Sequence, residues 1–451
     1  MAEKNGEVLM TEGSIWKHIV KFALPLALGY LFQQLYTTVD SVVVGNIVGK
    51  AALAAVGTTT PIINTLIGFF TGLATGASVI IAKNFGAQNE EKVEKAVHTA
   101  ILLVFIFSIF ATALGVFMVP YMLRFMSTPD DVFAEATVYL KIYFGGISSV
   151  MIYNMGAAIL RAVGDSKRPL YYLICSSVIN IVFDILFVKT FEMGVAGAAY
   201  ATILSQIVSA VLVLTSLTLS KGMYRLKWNR LSISLPILKE ILYIGMPTAL
   251  QQSLTSFSNV FVQSYINVFG TSVMAGWSAY LKLDQFVVIP MNSISMGITT
   301  FAGQNLGARS VERFGKGTKI ATVMAVAATA SLVAVLVVFA PQLIMLFNRE
   351  PEVVEYGAYL LRLLTPFYVF CAVNIVISGA LCGAGETRLP TAIKFFSFVI
   401  FRQIYLYFIS KTFDSLFWVV MGYPIGWILS AVFITIYYLA KRHEITGKFY
   451  A

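Results

Sequence analysis

Twelve apolar stretches run along the chain, each separated from the next by a short polar connection. They cover residues 15–48, 51–82, 96–122, 132–160, 170–188, 193–219, 237–269, 273–302, 320–347, 354–381, 389–409 and 416–440. Each exceeds the ~17 residues that a helix needs to cross the hydrocarbon core of a bilayer. With no water there to satisfy backbone N–H and C=O groups, such stretches become helices rather than open sheet. Several are longer than the minimum, which predicts tilt or protrusion. The pattern predicts an all-α polytopic membrane protein of twelve transmembrane helices.

The pattern is also written twice. Gly76, Asn84, Gly86 and Ala87 recur 221 residues later as Gly297, Asn305, Gly307 and Ala308. The turn Gly164-Asp165-Ser166-Lys167 with Pro169 recurs as Gly385-Glu386-Thr387-Arg388 with Pro390, and Lys141 recurs as Arg362. Six spans per copy means that both copies enter the membrane in the same direction, as two parallel-repeat six-helix bundles. The expected organisation is a first lobe over 1–220, a cytoplasmic linker over 221–236 and a second lobe over 237–451. The linker, with Tyr224, Trp228 and four cations, is expected either to lie against anionic lipid or to serve as a plain tether.

Charge gives the orientation. The N-terminal segment, the even-numbered connections and the C-terminal segment hold 19 of the 32 Lys and Arg residues, and the odd-numbered connections hold five. That bias places both termini in the cytoplasm of a cell-membrane protein. The net charge of +10 then reflects topology and does not call for a nucleic-acid partner. Composition agrees: 58% hydrophobic, 12% charged, mean hydropathy +0.80. The first span runs past the length of a signal-peptide core and lacks a small-residue cleavage site, so it is expected to be retained. Cys175, Cys371 and Cys382 have no metal-ligand spacing and read as packing residues. His18, His98 and His443 have no partners at metal or triad spacing, and no phosphate-binding loop follows Gly49 or Gly315. These absences argue against an enzyme, a cofactor or a bound nucleotide, and leave an ion gradient as the energy source for any pumping.

Three acids lie within spans and away from their ends: Asp40, Asp184 and Asp284. An acid in hydrocarbon costs about 2.5–3.5 kcal/mol on insertion scales, so it faces a cavity or a partner. Asn180 precedes Asp184 by one helical turn and shares its face; Thr202, in the sixth span, adds a hydroxyl. Asp40, Asn180, Asp184 and Thr202 together suit a proton or a hard cation such as Na+, with polar packing between helices as the alternative. At the 221 offset Asp40 falls on Phe261, Asn180 on Phe401 and Asp184 on Tyr405, so a packing role common to both halves is disfavoured. The second half has its own polar residues, Lys282, Asp284 and Arg402. Asp284 and Arg402 read as a buried pair or as part of a substrate surface; Lys282 and Asp284, two apart, cannot face each other on a helix. Gln33, Gln34, Asn154 and Asn180 are amides that suit hydrogen bonding to a solute in a first-half cavity. Gly68, Gly72 and Gly76 form a ridge for close helix packing. Pro25, fifteen residues before Asp40, reads as a hinge or a static kink, and Pro247 corresponds to it approximately.

The first-span pattern Pro25…Gln33…Tyr36-Thr37-Thr38-Val39-Asp40, with Gly86-Ala87-Gln88, Arg161-Ala162-Val163-Gly164-Asp165…Pro169 and Asn180…Asp184 with Thr202, resembles the multidrug and toxic compound extrusion (MATE) transporters over nearly the whole chain. The resemblance implies antiport of lipophilic, often cationic drugs against H+ or Na+ by rocking of two lobes about a central cleft. It also implies that Asp40, Asn180, Asp184 and Thr202 carry the coupling ion and that Gln33 contacts substrate. The NorM-like branch has a glutamate in the seventh span where this chain has Thr255, so the chain looks more like the DinF-like or other bacterial branches. The expected partners are small organic cations and membrane lipid, and the expected state is a monomer. A lipid-linked oligosaccharide flippase of the same superfamily is the nearest rival; it would need cations in its cavity for a pyrophosphate, for which Lys282, Arg362, Lys394 and Arg402 are the candidates.

Overall fold

The computed structural model describes residues 7–126, 128–413 and 415–447, and the side chain of Asp40 lies outside the described residues. Sixteen α-helices follow one another: α1 (Ile15–Val43), α2 (Lys50–Gly86), α3 (Glu90–Phe125), α4 (Asp130–Gly145), α5 (Ile147–Ala162), α6 (Lys167–Asp184), α7 (Gly194–Leu219), α8 (Leu235–Asn267), α9 (Thr271–Gly307), α10 (Val311–Val338), α11 (Ala340–Met345), α12 (Pro351–Leu364), α13 (Tyr368–Gly383), α14 (Arg388–Phe395), α15 (Arg402–Thr412) and α16 (Leu416–Gly447). No strand occurs among the described residues. Ten helical spans are long and apolar enough to cross a membrane, and the pair α4–α5, bent by 48°, makes an eleventh. The twelfth is α8, 33 residues long, whose stretch from Gln251 to Asn259 is rich in amides and hydroxyls. The fourth span is bent at Gly146, whereas the tenth runs from Pro351 to Gly383 through a 3-10 turn at Thr365–Phe367.

Three single π-turns interrupt the helices. Val44–Val48 extends α1, Ile185–Thr190 extends α6, and Phe396–Phe401 joins α14 to α15. Gly49 N–H donates to Val44 O at 3.2 Å and Phe191 N–H to Leu186 O at 2.9 Å, five residues back in each case. A π-turn absorbs one extra residue without ending the helix.

The duplication is visible in backbone detail. Gln88 and Arg309, 221 apart, are both left-handed at φ 54° and 59°. Gly164 and Gly385 likewise have φ 87° and 85°, a conformation that glycine adopts without steric penalty. Asn84 and Asn305 each donate their side-chain amide to the carbonyl one turn earlier, Ile80 O and Phe301 O, both at 2.8 Å.

The chain divides into two compact units that do not follow the repeat boundary. Unit 1 comprises 1–9 and Pro25–Ala249; unit 2 comprises Met10–Leu24 and 250–451. The chain changes unit beside Pro25 in α1 and two residues after Pro247 in α8. Each first half-helix thus packs in the unit built mainly from the other repeat. In unit 2, Met10 N–H donates to Gln304 Oε1 at 2.9 Å, while Arg313 Nη2 donates to Glu12 O at 2.8 Å. In unit 1 the glycine ridge receives the first half of α8: a Cβ on Gly72 would lie 2.3 Å from Ala249 Cα, and one on Gly76 would lie 2.4 Å from Ile241 O.

The segment 221–236 is not a plain tether. Tyr224 and Leu226 are buried, and Arg168 Nη2 donates to Tyr224 Oη at 2.8 Å. Lys227 N–H donates to His98 Nε2 at 3.0 Å, which makes that nitrogen an acceptor, and Lys227 Nζ reaches Glu94 Oε2 at 2.7 Å. Trp228 Nε1 donates to Thr218 Oγ1 at 3.0 Å. Burial and hydrogen bonding make the linker part of unit 1. Cys371 is buried as a packing residue, whereas Cys175 is exposed.

Candidate ion and solute site

The polar face of α6 is the starting point in unit 1. Ser176, Asn180 and Asp184 recur every four residues, and all three are buried, Asn180 to 1% and Asp184 to 0% exposure. Both polar atoms of the Asn180 amide are buried with no hydrogen bond among the described residues. A buried polar group left in that state costs about 1–3 kcal/mol, and such a group calls for an explanation, an ion or water among them.

The neighbouring helix supplies hydroxyls. Ser176 Oγ donates to Ser205 O at 2.9 Å, and Ser205 Oγ donates to Thr202 O at 2.7 Å. A short connection makes α6 and α7 antiparallel, so the Ser176–Ser205 contact fixes their register. One turn further along α6, Asn180 comes level with Ala201 and Thr202. Thr202 is half-buried, and Ser209 Oγ is buried without a hydrogen bond among the described residues.

The depth of Asp40 follows from the backbone. Val44 of the first π-turn and Val188 of the second share one core cluster with Tyr139, Val195, Ala198 and Ala199, and the two π-turns pack against each other. Asp40 precedes Val44 by four residues, as Asp184 precedes Val188. On two helices that cross the membrane in the same direction, both acids therefore sit one turn before a shared contact. In unit 1 the backbone thus sets Asp40 level with Asp184, and Thr202 level with Asn180 one turn away; the Asp40 side chain lies outside the described residues.

The amides are more dispersed. Gln33 and Gln34 are half-buried on α1, where their carbonyls accept Thr37 Oγ1 at 2.5 Å and Thr38 Oγ1 at 2.8 Å. Asn154, on α5, directs its Nδ2 to Val150 O at 2.8 Å. An apolar void in unit 1 is lined by Phe70, Leu73, Leu103, Phe107, Met151 and Met155 among others; none of the four predicted amides lines it.

In unit 2 the charges are arranged differently from a buried pair. Lys282 is exposed, with Nζ 5.3 Å from the Phe347 ring. Asp284 Oδ1 accepts a hydrogen bond from Tyr368 Oη, whose oxygen lies 2.7 Å from Tyr280 Oη. Arg402, 4% exposed, donates through Nη2 to Ser258 Oγ at 2.8 Å and Asn259 Oδ1 at 2.9 Å, and its guanidinium lies 4.8 Å from the Tyr423 ring. The path from acid to guanidinium runs through Tyr368, Trp427 and Tyr423, with ring centroids 4.8 and 5.8 Å apart. Asp284 and Arg402 make no ion pair among the described residues; aromatic rings stand between them.

The π-turns also correct the register of the duplication. Pro25 and Pro247 are 222 apart, whereas Gly49 and Gly270 are 221 apart; the extra residue of the first repeat sits in the π-turn at Val44–Val48. Asp40 lies before that turn, so its counterpart is Val262 rather than Phe261. In the other spans the order is reversed. The α14–α15 π-turn precedes Arg402, whereas the α6 π-turn follows Asp184. Counting the extra residue, Asn180 corresponds to Arg402, not Phe401, and Asp184 to the fully buried Leu406, not Tyr405. The sequence reading missed this, together with Ser176, Ser205, Ser258 and Asn259. The four-residue spacing of Ser176, Asn180 and Asp184 was the available signal for the first.

A family model described as MatE matches the chain twice, over 25–186 and 247–408, an offset of 222 at both ends. The probable multidrug resistance protein YpnP of Bacillus subtilis (strain 168) is 30% identical over 398 residues, covering 87% of this chain and 88% of that protein. YoeA of the same organism, also named a probable multidrug resistance protein, is 28% identical over 463 residues, with 98% and 99% covered. The solved outward-facing structure of a multidrug resistance MATE family transporter of the MOP superfamily superposes with a TM-score of 0.91 at 26% identity, covering 98% of this chain and 99% of that one.

Proposed function

Since this chain belongs to the MATE family of multidrug efflux transporters, we propose that it is a secondary antiporter exporting lipophilic, often cationic drugs in exchange for H+ or Na+ by alternating access. In this reading Asp40, Asn180, Asp184 and Thr202 hold the coupling ion. Gln33, Gln34, Asn154 and Asn180 contact the solute, and Pro25 is a hinge. The protein works as a monomer in the cell membrane with both termini in the cytoplasm.

The observation that carries the reading is the Asn180 amide, buried with both polar atoms unsatisfied one turn from the fully buried Asp184. A carboxylate in an apolar bundle is neutralised by a proton or by a cation. A proton needs only the carboxylate. Na+ needs oxygens, and Asp184, Asn180 Oδ1 and the Thr202 hydroxyl offer a hard-ligand set. Groups of three or more His, Cys, Asp or Glu that could hold a metal are absent among the described residues, so a tight transition-metal site is a poor fit and a weakly held, exchangeable ion a better one.

The test is drug-induced ion flux in proteoliposomes with pH and Na+ gradients imposed separately. Asp184→Asn and Asp40→Asn keep size and hydrogen bonding but fix the charge at zero. Both are expected to insert and to lose gradient-driven drug efflux by tenfold or more. If Na+ is the coupling ion, wild-type flux should fall as pH is lowered, because protons compete for the carboxylates. Wild-type transport in both variants sinks the proposed ion site.

A further inference from the structure

The corrected register sets Asn180 of unit 1 against Arg402 of unit 2, and Asp184 against Leu406. The same stretch thus carries a different charge in each repeat: a neutral amide followed by an acid in the first, a guanidinium followed by an apolar residue in the second. The surroundings of Arg402 are built for a cation that stays charged. Ser258 Oγ and Asn259 Oδ1 accept from Nη2, and the Tyr423 ring lies 4.8 Å away, a distance at which a π-face attracts a guanidinium. Ser258 is itself held: its hydroxyl donates to Phe398 O of the π-turn at 3.1 Å, and Gln403 Nε2 donates to Ser258 Oγ at 3.0 Å. The two acceptors and the ring are all neutral.

Nε of Arg402 is buried with no hydrogen-bond partner among the described residues. A buried cation is ordinarily paired with an anion, and Asp284 is engaged elsewhere by Tyr368. The guanidinium also lies close to an open surface. Asn259 is exposed, on the α8 face that carries Gln251, Thr255 and Ser258. The exposed apolar residues Leu250, Leu254 and Phe261 fall on a different face, roughly 100° away at 3.6 residues per turn. A polar face beside an apolar one, in a membrane helix, turns away from lipid toward a water-filled space.

We infer that Arg402, with Ser258 and Asn259, forms an oxyanion subsite in unit 2 that binds a carboxylate carried by the transported solute. The inference rests on the efflux reading and narrows it: alongside simple lipophilic cations, the protein transports zwitterions whose acid group docks on Arg402. Guanidinium is suited to this because its donors match the geometry of a carboxylate, which a lysine ammonium does not.

The experiment uses two dyes with the same xanthylium core. Rhodamine 110 has a free carboxylate, and rhodamine 123 is its methyl ester. Efflux is measured in proteoliposomes of the full-length chain with and without phosphatidylglycerol. Wild type should move both dyes. Arg402→Gln should lose rhodamine 110 transport roughly tenfold to a hundredfold, as expected for a lost charged hydrogen bond, and should keep rhodamine 123 within about twofold. Asn259→Asp gives an arm that does not depend on removing a buried side chain. Its carboxylate would occupy the guanidinium from within, so rhodamine 110 should again be lost selectively. If Arg402 only holds helices together, that added pair should leave both dyes unaffected, and the inference is overturned. Equal loss of both dyes in Arg402→Gln, with no selective effect in Asn259→Asp, overturns it too. A selectivity that appears only in vesicles containing phosphatidylglycerol assigns the site to a lipid phosphate and also overturns the solute. Wild-type transport of rhodamine 123 alone rejects the subsite and leaves the efflux reading standing; transport of neither dye rejects that reading as well.

Discussion

At the scale of single residues, the glycine ridge of α2 shows how little side chain a close helix contact tolerates. Gly72 and Gly76 meet backbone atoms of α8 that cannot rotate out of the way, whereas Gly57, on the same helix, has nothing within 4 Å of where a Cβ would stand. Gly72→Ala and Gly76→Ala are therefore expected to destabilise by about 1–3 kcal/mol, in the range of overpacked cores. Gly57→Ala should be neutral or stabilising by up to about 1 kcal/mol, since alanine favours the helix. Thermal unfolding in detergent checks all three, and a melting temperature for Gly76→Ala at or above that of Gly57→Ala contradicts the contact. The ridge was readable because small residues at four-residue spacing have few other uses in a span. That Asn180 and Asp184 share one face of α6 was readable for the same geometric reason. The partners of Arg402 were not: Ser258 and Asn259 are 144 and 143 residues away in the chain, and an Asp284 in the same repeat was the more obvious candidate on charge alone.

At the scale of elements, most of the spans were legible because apolar length decides them, while the π-turns were not. A π-turn leaves the apolar pattern continuous and shifts it by a single position, which is below what hydrophobic periodicity resolves. The shift matters here because it changes which residue of one repeat stands for which of the other. Deletion of Ile47 from Val44–Val48 should convert that turn to regular α-helix. The second repeat already spans the corresponding stretch, from Pro247 to Gly270, with one residue fewer, so the shortened protein is expected to fold. The deletion rotates Asp40 by about 100° relative to the residues that follow. Gradient-driven efflux should fall at least tenfold, with expression and melting temperature close to wild type. Retained efflux would mean that the bulge is incidental to the ion site.

At the scale of the whole molecule, the charge bias makes a topology that can be read directly. Single cysteines at Lys83 and Arg309, both exposed, in a background without Cys175, Cys371 and Cys382, should react with an impermeant maleimide only from the cytoplasmic side. Labelling of either from outside contradicts the orientation. Repeats and spans were legible in the chain, but the composition of the two compact units was not, because nothing in the sequence says that a half-helix belongs to the other repeat's bundle. That exchange bears on how the protein is made. The residues of unit 2 at Met10–Leu24 are synthesised more than two hundred residues before the rest of their unit, 250–451, and unit 1 lacks its closing half-helix until Ala249 has been synthesised. Translation therefore cannot finish one lobe before beginning the next. A gene fragment encoding a single repeat would emerge with its opening half-helix unhoused, and would find a home for it only in a second copy of itself.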